Sequence, residues 1–386
     1  MKRISSIDFT RGLIMIIMAL DHVRDLMHIN SITQSPTDLL TTTPLLFFTR
    51  FVTHLCAPIF VFLAGASAYL SFIRRNDISR SRRFLIQRGL WFILLEFTNV
   101  NFGIYFDLGF HSFLFQVIAT IGLGFIILGL MLKLSSKTLC VIGLVIIFGH
   151  NLLPMIPFAE GSTLKVLLSP LFGPGLFPLN SHTNFIMGYP PVPWLGIMLV
   201  GFATGKMFTM EDKRRNMFLK IGVGALILFI VLRFINIYGD SLQWSSQKNG
   251  IYTFLSFMNV TKYPPSLLFC SVTLGFMFLI LAFAERANNR FTNVVSVYGK
   301  APFFYFLVHF YLIHFVMVAL MFLQGFHWSD LDFSSGTFGR PGGVQSGVEL
   351  WEIYLIWIAI VAILYKPCLW FGKYKAEHSH WWLRFI

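Results

Sequence analysis

Charge is what this sequence has least of: Asp, Glu, Lys and Arg together make up 12% of 386 residues, about half the share in an ordinary soluble domain. A surface facing water on all sides is thereby excluded. Cysteine is scarce too. Cys56, Cys140, Cys270 and Cys368 are scattered without metal or disulfide spacing, so they read as free thiols and carry no information about redox compartment. There is no internal repeat or low-complexity tract, which removes support for an inverted-repeat transporter. No long polar linker interrupts the chain, so residues 1–386 read as one domain. Acid is rarer than base, giving a net charge of +13, which suits either nucleic acid or an anionic membrane surface.

What the sequence does have is hydrocarbon. It is 56% hydrophobic, contains 44 Phe, and has a mean hydropathy of +0.70. With about 20 apolar residues per crossing, spans are expected near 12–28, 52–73, 84–102, 112–132, 138–154, 191–208, 219–238, 264–284, 298–323 and 350–371. The fold class is therefore all-α, a polytopic bundle of about ten transmembrane helices. Lys2 and Arg3 followed by apolar residues imitate a secretory signal. No small-residue cleavage site follows, and Asp21 and His22 arrive where the apolar region would end, so this helix is expected to be retained.

Alternate connections hold the basic residues. Only Arg24, Arg50, Lys165, Arg233, Lys248, Lys262 and Arg340 fall on the opposite face, and the positive-inside rule makes the richer face cytoplasmic. Both termini are expected there, in a multi-pass protein of the cell inner membrane. Basic charge thus reports topology, with membrane lipid as partner. Nucleic acid is excluded because no soluble basic module exists. The other face has longer, turn-rich loops. Its apolar stretch LKVLLSPLFGPGLF (164–177) reads as re-entrant or interfacial, since an eleventh span would invert every later loop against its charges.

Polar residues collect at the outer helix ends. IMIIMALDHVRDLMHIN (14–30) packs Asp21, His22, Arg24, Asp25 and His28 into eight positions, and ionisable groups at membrane depth usually face a cavity or a partner. Asp21, Asp25 and His28 share one helical stripe. A carboxylate on one imidazole nitrogen would leave the other basic, as a general base requires. The plainer alternative is a set of interfacial ion pairs with Arg24 as the partner. Arg50 and His54, four residues apart, open the next helix. Its Ala64, Gly65, Ala66, Ser67 and Ala68 permit close helix packing. His309 is the deepest titratable group and reads as a hydrogen-bonded core residue, with His314 nearer the outer face. No compact metal-ligand motif stands out, and no metal is expected. YPPVPWLG (189–196) and NVTKYPPSLLF (259–269) read as rigid helix entries, with Lys262 the exception.

SIDFTRGLIMIIMALDHVRDLMH, TRFVTHLCAPIFVFLAGASAYL, YPPVPWLGIMLVGFATGK, NVTKYPPSLL and YGKAPFFYFLVHFYLIH resemble a bacterial membrane family related to the heparan-alpha-glucosaminide N-acetyltransferase catalytic domain. The resemblance runs over nearly the whole chain. It implies acyl transfer from cytosolic acyl-CoA, most simply acetyl-CoA, to an amino or hydroxyl group of a sugar or envelope glycan across the membrane. The family's catalytic His lies between the first two helices, where His28 is the nearest positional match and His54 the second. His22 stands where the eukaryotic branch has Asn. On this basis Asp21, His22, Asp25, His28 and His54 are the expected catalytic residues. Arg80, Arg82, Arg83 and Lys300 are expected to take the donor's phosphates, and Arg50, Lys262 and His314 the acceptor. Homo-oligomerisation is compatible with this reading. The competing function is a transporter that binds an ion or small solute at the outer polar cluster.

Overall fold

The computed structural model describes residues 4–155, 163–334 and 336–385; Lys2 and Arg3 lie outside them. In chain order the helices are α1 (Ser5–Met27), α2 (Pro44–Thr53), α3 (Cys56–Arg75), α4 (Ile78–Leu95), α5 (Asn101–Tyr105), α6 (Val117–Met131), α7 (Ser136–Gly149) and α8 (Thr163–Phe172). They continue with α9 (Pro191–Ala203), α10 (Glu211–Ile235), α11 (Gly250–Met258), α12 (Leu267–Ala284), α13 (Arg290–Lys300), α14 (Pro302–Leu323) and α15 (Leu350–Glu377). The molecule is an all-α polytopic membrane bundle, and each of the ten apolar segments contains one of its helices. Seven helical stretches among the described residues are long and apolar enough to cross a bilayer, with Pro44–Arg75 counted as one. The other three apolar segments correspond to α1, whose C-terminal end is charged, α4, which starts among arginines, and α6, with 15 residues.

Two expected helices begin elsewhere. The segment 112–132 opens with a strand, β1 (Ser112–Phe115), and becomes helical only at Val117. Asn101 explains this: its amide donates to the Ser112 carbonyl at 2.8 Å and accepts from the Leu114 N–H at 3.0 Å, which draws the backbone out into an extended form. β1 pairs in parallel with β3 (Asn184–Met187), which pairs antiparallel with β2 (Gly175–Pro178). The segment 298–323 is broken at Ala301, where Pro302 begins α14. Proline cannot donate the N–H needed to continue α13, yet suits the first turn of a new helix. Lys300 is therefore set at a helix junction. The 164–177 stretch forms α8 and β2 and does not cross, since ten helical residues rise only about 15 Å.

The core runs through α1, α3, α9, α12 and α14, where Ile14, Phe62, Trp194, Phe269 and Ile313 are fully buried. Glycine sets the distance between several helices. A methyl group on Gly299 would stand 1.7 Å from the Asp8 carbonyl oxygen, and one on Gly12 would stand 2.0 Å from that of Val295, so α1 and α13 touch backbone to backbone. Gly65, from the small-residue run of α3, meets Met198 of α9 in the same way, at 2.1 Å. Gly299→Ala is expected to force α13 off α1 and to cost roughly 1–3 kcal/mol, the usual penalty for overpacking. An unchanged midpoint for unfolding in detergent would contradict this account of the crossing.

Candidate functional site

The C-terminal end of α1 is organised by Asp21. Its carboxylate accepts from Arg24 Nη2 at 2.7 Å, from Arg50 Nη1 at 2.7 and 2.6 Å, and from Thr53 Oγ1 at 2.7 Å. Arg24 also reaches Asp25 at 2.5 Å. The partner of both carboxylates is thus arginine. α2 explains the reach of Arg50: Pro44 and the Thr43 cap start the helix early, which places Arg50 and Thr53 one turn apart on a face toward α1.

The carboxylate-supported imidazole expected at Asp25 and His28 is not formed. α1 ends at Met27, and His28 turns into extended backbone that bridges to Val348, so it leaves the helical stripe. Among the described residues its Nδ1 receives only a long contact from the Asn30 N–H at 3.4 Å. Arg340 holds this strand from the far loop, donating to the His28 carbonyl at 2.8 Å and to Ser31 Oγ at 2.9 Å. Burial lowers the Arg340 guanidinium to about 10, still charged at neutral pH. His314 is engaged on both sides, Nδ1 against the Gly103 carbonyl and Nε2 against that of Phe338, each at 3.0 Å. It joins α14 to α5 and the outer loop and has no ring nitrogen left for an acceptor. His54 is buried at the junction of α2 and α3, its Nδ1 without a hydrogen bond and its ring edge-on to Phe269.

The imidazole that is oriented is His22. Its Nδ1 lies 2.7 Å from His309 Nε2, and His309 Nδ1 lies 3.1 Å from the Tyr305 carbonyl one turn back on α14. The two rings are within 25° of parallel with centres 4.9 Å apart, the spacing of an in-line bond between ring edges. A carbonyl only accepts, so His309 carries its proton on Nδ1. If both rings are neutral, Nε2 of His309 accepts from Nδ1 of His22, which puts a lone pair on His22 Nε2. A second histidine thus does the orienting work assigned from sequence to a carboxylate. His309 lies 287 positions away from His22, and no sequence spacing links them.

At the opposite end of α1 is a cavity of about 560 Å³. Arg11, Arg88, Lys300, Lys375 and Arg384 line it, with no carboxylate among the lining residues, and Met15, Phe60, Phe125 and Phe306 supply apolar wall. Arg88 lies over the rings of Phe92 and Phe125 at 5.2 and 5.3 Å, and Arg11 is held by Ser67 Oγ at 2.5 Å. Of the four residues expected to take the donor's phosphates, Lys300 lines this cavity, whereas Arg80, Arg82 and Arg83 do not, and Arg80 pairs with Asp77 at the exposed start of α4. The reason is helical phase, since Arg88 lies two turns further along α4, on the face toward α6. The apolar wall approaches the histidine pair, because Phe306 is one turn below His309 on α14.

A family model described as heparan-alpha-glucosaminide N-acetyltransferase, catalytic, matches residues 3–248, well over half of the chain. The chain belongs to that family. No curated protein matches it. Membership makes this a membrane acetyltransferase-type enzyme, with a transferase's need for an acyl donor and an acceptor. The matched region holds α1 to α10, and so Asp21, His22, Arg50 and Arg88. His309, Lys262 and Lys300 come from beyond it. Among the described residues no group of three or more His, Cys, Asp or Glu side chains is placed to hold a metal ion.

Proposed function

We propose that this protein transfers an acetyl group from acetyl-CoA, bound in the basic cavity, to an amino or hydroxyl group of a sugar or envelope glycan that arrives from the opposite face, with His22 as general base. The observation that carries the proposal is a cavity with five cations and an apolar wall, set beneath a histidine pair in a chain of an acetyltransferase family. Guanidinium and ammonium groups suit the phosphates of CoA, and the apolar wall suits its pantetheine arm. The positive-inside rule supports a cytoplasmic mouth, both termini on that side, and a site in the inner membrane.

In the chemical step the acceptor's nitrogen or oxygen attacks the thioester carbonyl as His22 Nε2 removes its proton. The C–S bond breaks, and CoA leaves as the thiol once the proton is returned to sulfur. Direct attack needs no acyl-enzyme and uses the imidazole of the pair whose Nε2 is left with a lone pair. His28 and His54 lack such an orienting partner, which is why His22 is preferred to them.

The test uses the protein in sealed vesicles with labelled acetyl-CoA and a panel of glycans. Neutralising Arg88 and Lys300 together (Arg88→Gln, Lys300→Gln) should raise the KM for acetyl-CoA roughly tenfold or more, since each removes a charged contact to phosphate, and should leave the acceptor KM nearly unchanged. The triple variant Arg80→Gln, Arg82→Gln, Arg83→Gln should do much less. A transporter would ignore acetyl-CoA altogether, and the absence of any acetyl-CoA turnover or binding would overturn the proposal.

A further inference from the structure

The outer cluster contains more positive charge than it neutralises. Arg24, Arg50 and Lys262 face Asp21 and Asp25, and both carboxylates are already bonded to arginine. Lys262 is 8% exposed, yet among the described residues its ammonium has no hydrogen bond and no carboxylate within ion-pairing distance. Its Nζ stands 5.0 Å from the ring centre of Tyr263 and 6.0 Å from that of Tyr189. Aromatic faces attract a cation but satisfy none of its three N–H donors. Arg50 likewise uses only Nη1 on Asp21, and its Nε and Nη2 carry no hydrogen bond among the described residues. Tyr263 donates its hydroxyl to that of Tyr189 at 3.1 Å, so the Tyr189 proton remains available to a further acceptor.

This cation is held in place by a built support. Arg233, 1% exposed, donates to the carbonyls of Leu242, Ser256, Phe257 and Asn259. Asp240 accepts from Thr261 N–H and Oγ1 and from Ser266 Oγ. Both sides of Lys262 are therefore fixed, and a long flexible side chain is presented at one place with its charge unmatched.

We infer that Lys262, with Arg50 and the Tyr189 hydroxyl, forms an anion-recognition site, and that the acceptor carries a phosphate or carboxylate group beside the nucleophile it presents to His22. The inference rests on the acetyl-transfer reading for the identity of the ligand as acceptor, but not for the anion site itself. The anion can belong to a soluble acidic sugar or to a lipid-linked headgroup, since both present the same oxygens to Lys262.

The experiment uses the full chain in nanodiscs and paired probes: glucosamine 6-phosphate against glucosamine, and glucuronic acid against glucose. Binding is read as ligand-induced thermal stabilisation, and transfer as the KM ratio of each pair with acetyl-CoA. At least one charged member should bind about tenfold or more tightly than its partner, the scale of one charged hydrogen bond. Lys262→Gln should bring that ratio close to one, and Lys262→Arg should retain most of it, which separates loss of charge from loss of fold. Equal binding within both pairs in the unmodified protein, or a preference that survives in Lys262→Gln, would overturn the inference. A Lys262-dependent preference in binding without any acetyl transfer would support the anion site and sink the acetyl-transfer reading. Transfer at equal KM within both pairs would do the reverse. Repeating the binding in phosphatidylglycerol and phosphatidylcholine nanodiscs assigns the source. Competition by phosphatidylglycerol supports a headgroup anion, and its absence supports a soluble sugar.

Discussion

His22→Ala is expected to lose between about a hundredfold and ten-thousandfold of the acetyl-transfer rate, the range of a positioned general base, while the protein remains folded. Among the described residues His22 makes no ion pair, and its one hydrogen-bonding partner is His309, so its removal leaves the Asp21 network intact. His28→Ala should be far milder on the chemical step, because His28 has left α1 for extended backbone bridged to Val348 and, among the described residues, no side chain orients its ring. His309→Leu should fall between the two. It leaves the base in place but takes away the acceptor that fixes the proton on His22 Nδ1, so the fraction of His22 with a lone pair on Nε2 declines. The measurement is single-turnover acetyl transfer with each variant at saturating donor and acceptor. Full activity in His22→Ala would refute the base assignment, and loss confined to His28→Ala would return the base to the residue that the family resemblance first suggested.

The difference between those two histidines shows how far the sequence could be read. Ten apolar stretches were legible because lipid enforces one simple rule, about 20 apolar residues per crossing, and the outer grouping of Asp21, His22, Arg50 and Lys262 followed from their place at helix ends. Which side chains meet was less legible. The helical stripe joining Asp25 to His28 assumed that α1 continues past Met27, whereas the plainer alternative, ion pairs with Arg24, is the arrangement seen at both carboxylates. His309 was visible as a buried histidine, but its contact with His22 depends on how α14 packs against α1. The donor cavity repeats the lesson. A run of arginines is what the positive-inside rule expects at a cytoplasmic helix end whether or not it binds anything, and only helical phase separates Arg88, which faces inward, from Arg80 and Arg83, which are exposed. Its remaining cations come from α1, the break after Lys300, the end of α15 and the C-terminal segment, four places that no local motif connects.

Asp21→Ala is expected to be the most destabilising single change in the outer cluster. The Asp21 side chain is 9% exposed, and those of Arg24 and Arg50 are 2% and 15% exposed, so two guanidinium groups would lose their shared counterion in a site that water reaches poorly. Removing one member of a buried ion pair costs about 3–5 kcal/mol, because the charge left behind is neither solvated nor matched. Arg24 retains Asp25, whereas Arg50 loses its hydrogen bonds altogether, so most of the cost should come from Arg50. The double variant Asp21→Ala, Arg50→Ala should then recover part of the loss, and the coupling from the double-mutant cycle should have the sign of a favourable pair. Asp21→Asn provides the intermediate case, since it keeps an oxygen for Thr53 Oγ1 and one arginine N–H but removes the charge. Unfolding in detergent at fixed pH and ionic strength measures all three. If Asp21→Ala unfolds at the midpoint of the unmodified protein, the cluster is not what holds α2 against α1, and the position of Arg50 beside Lys262 requires another cause.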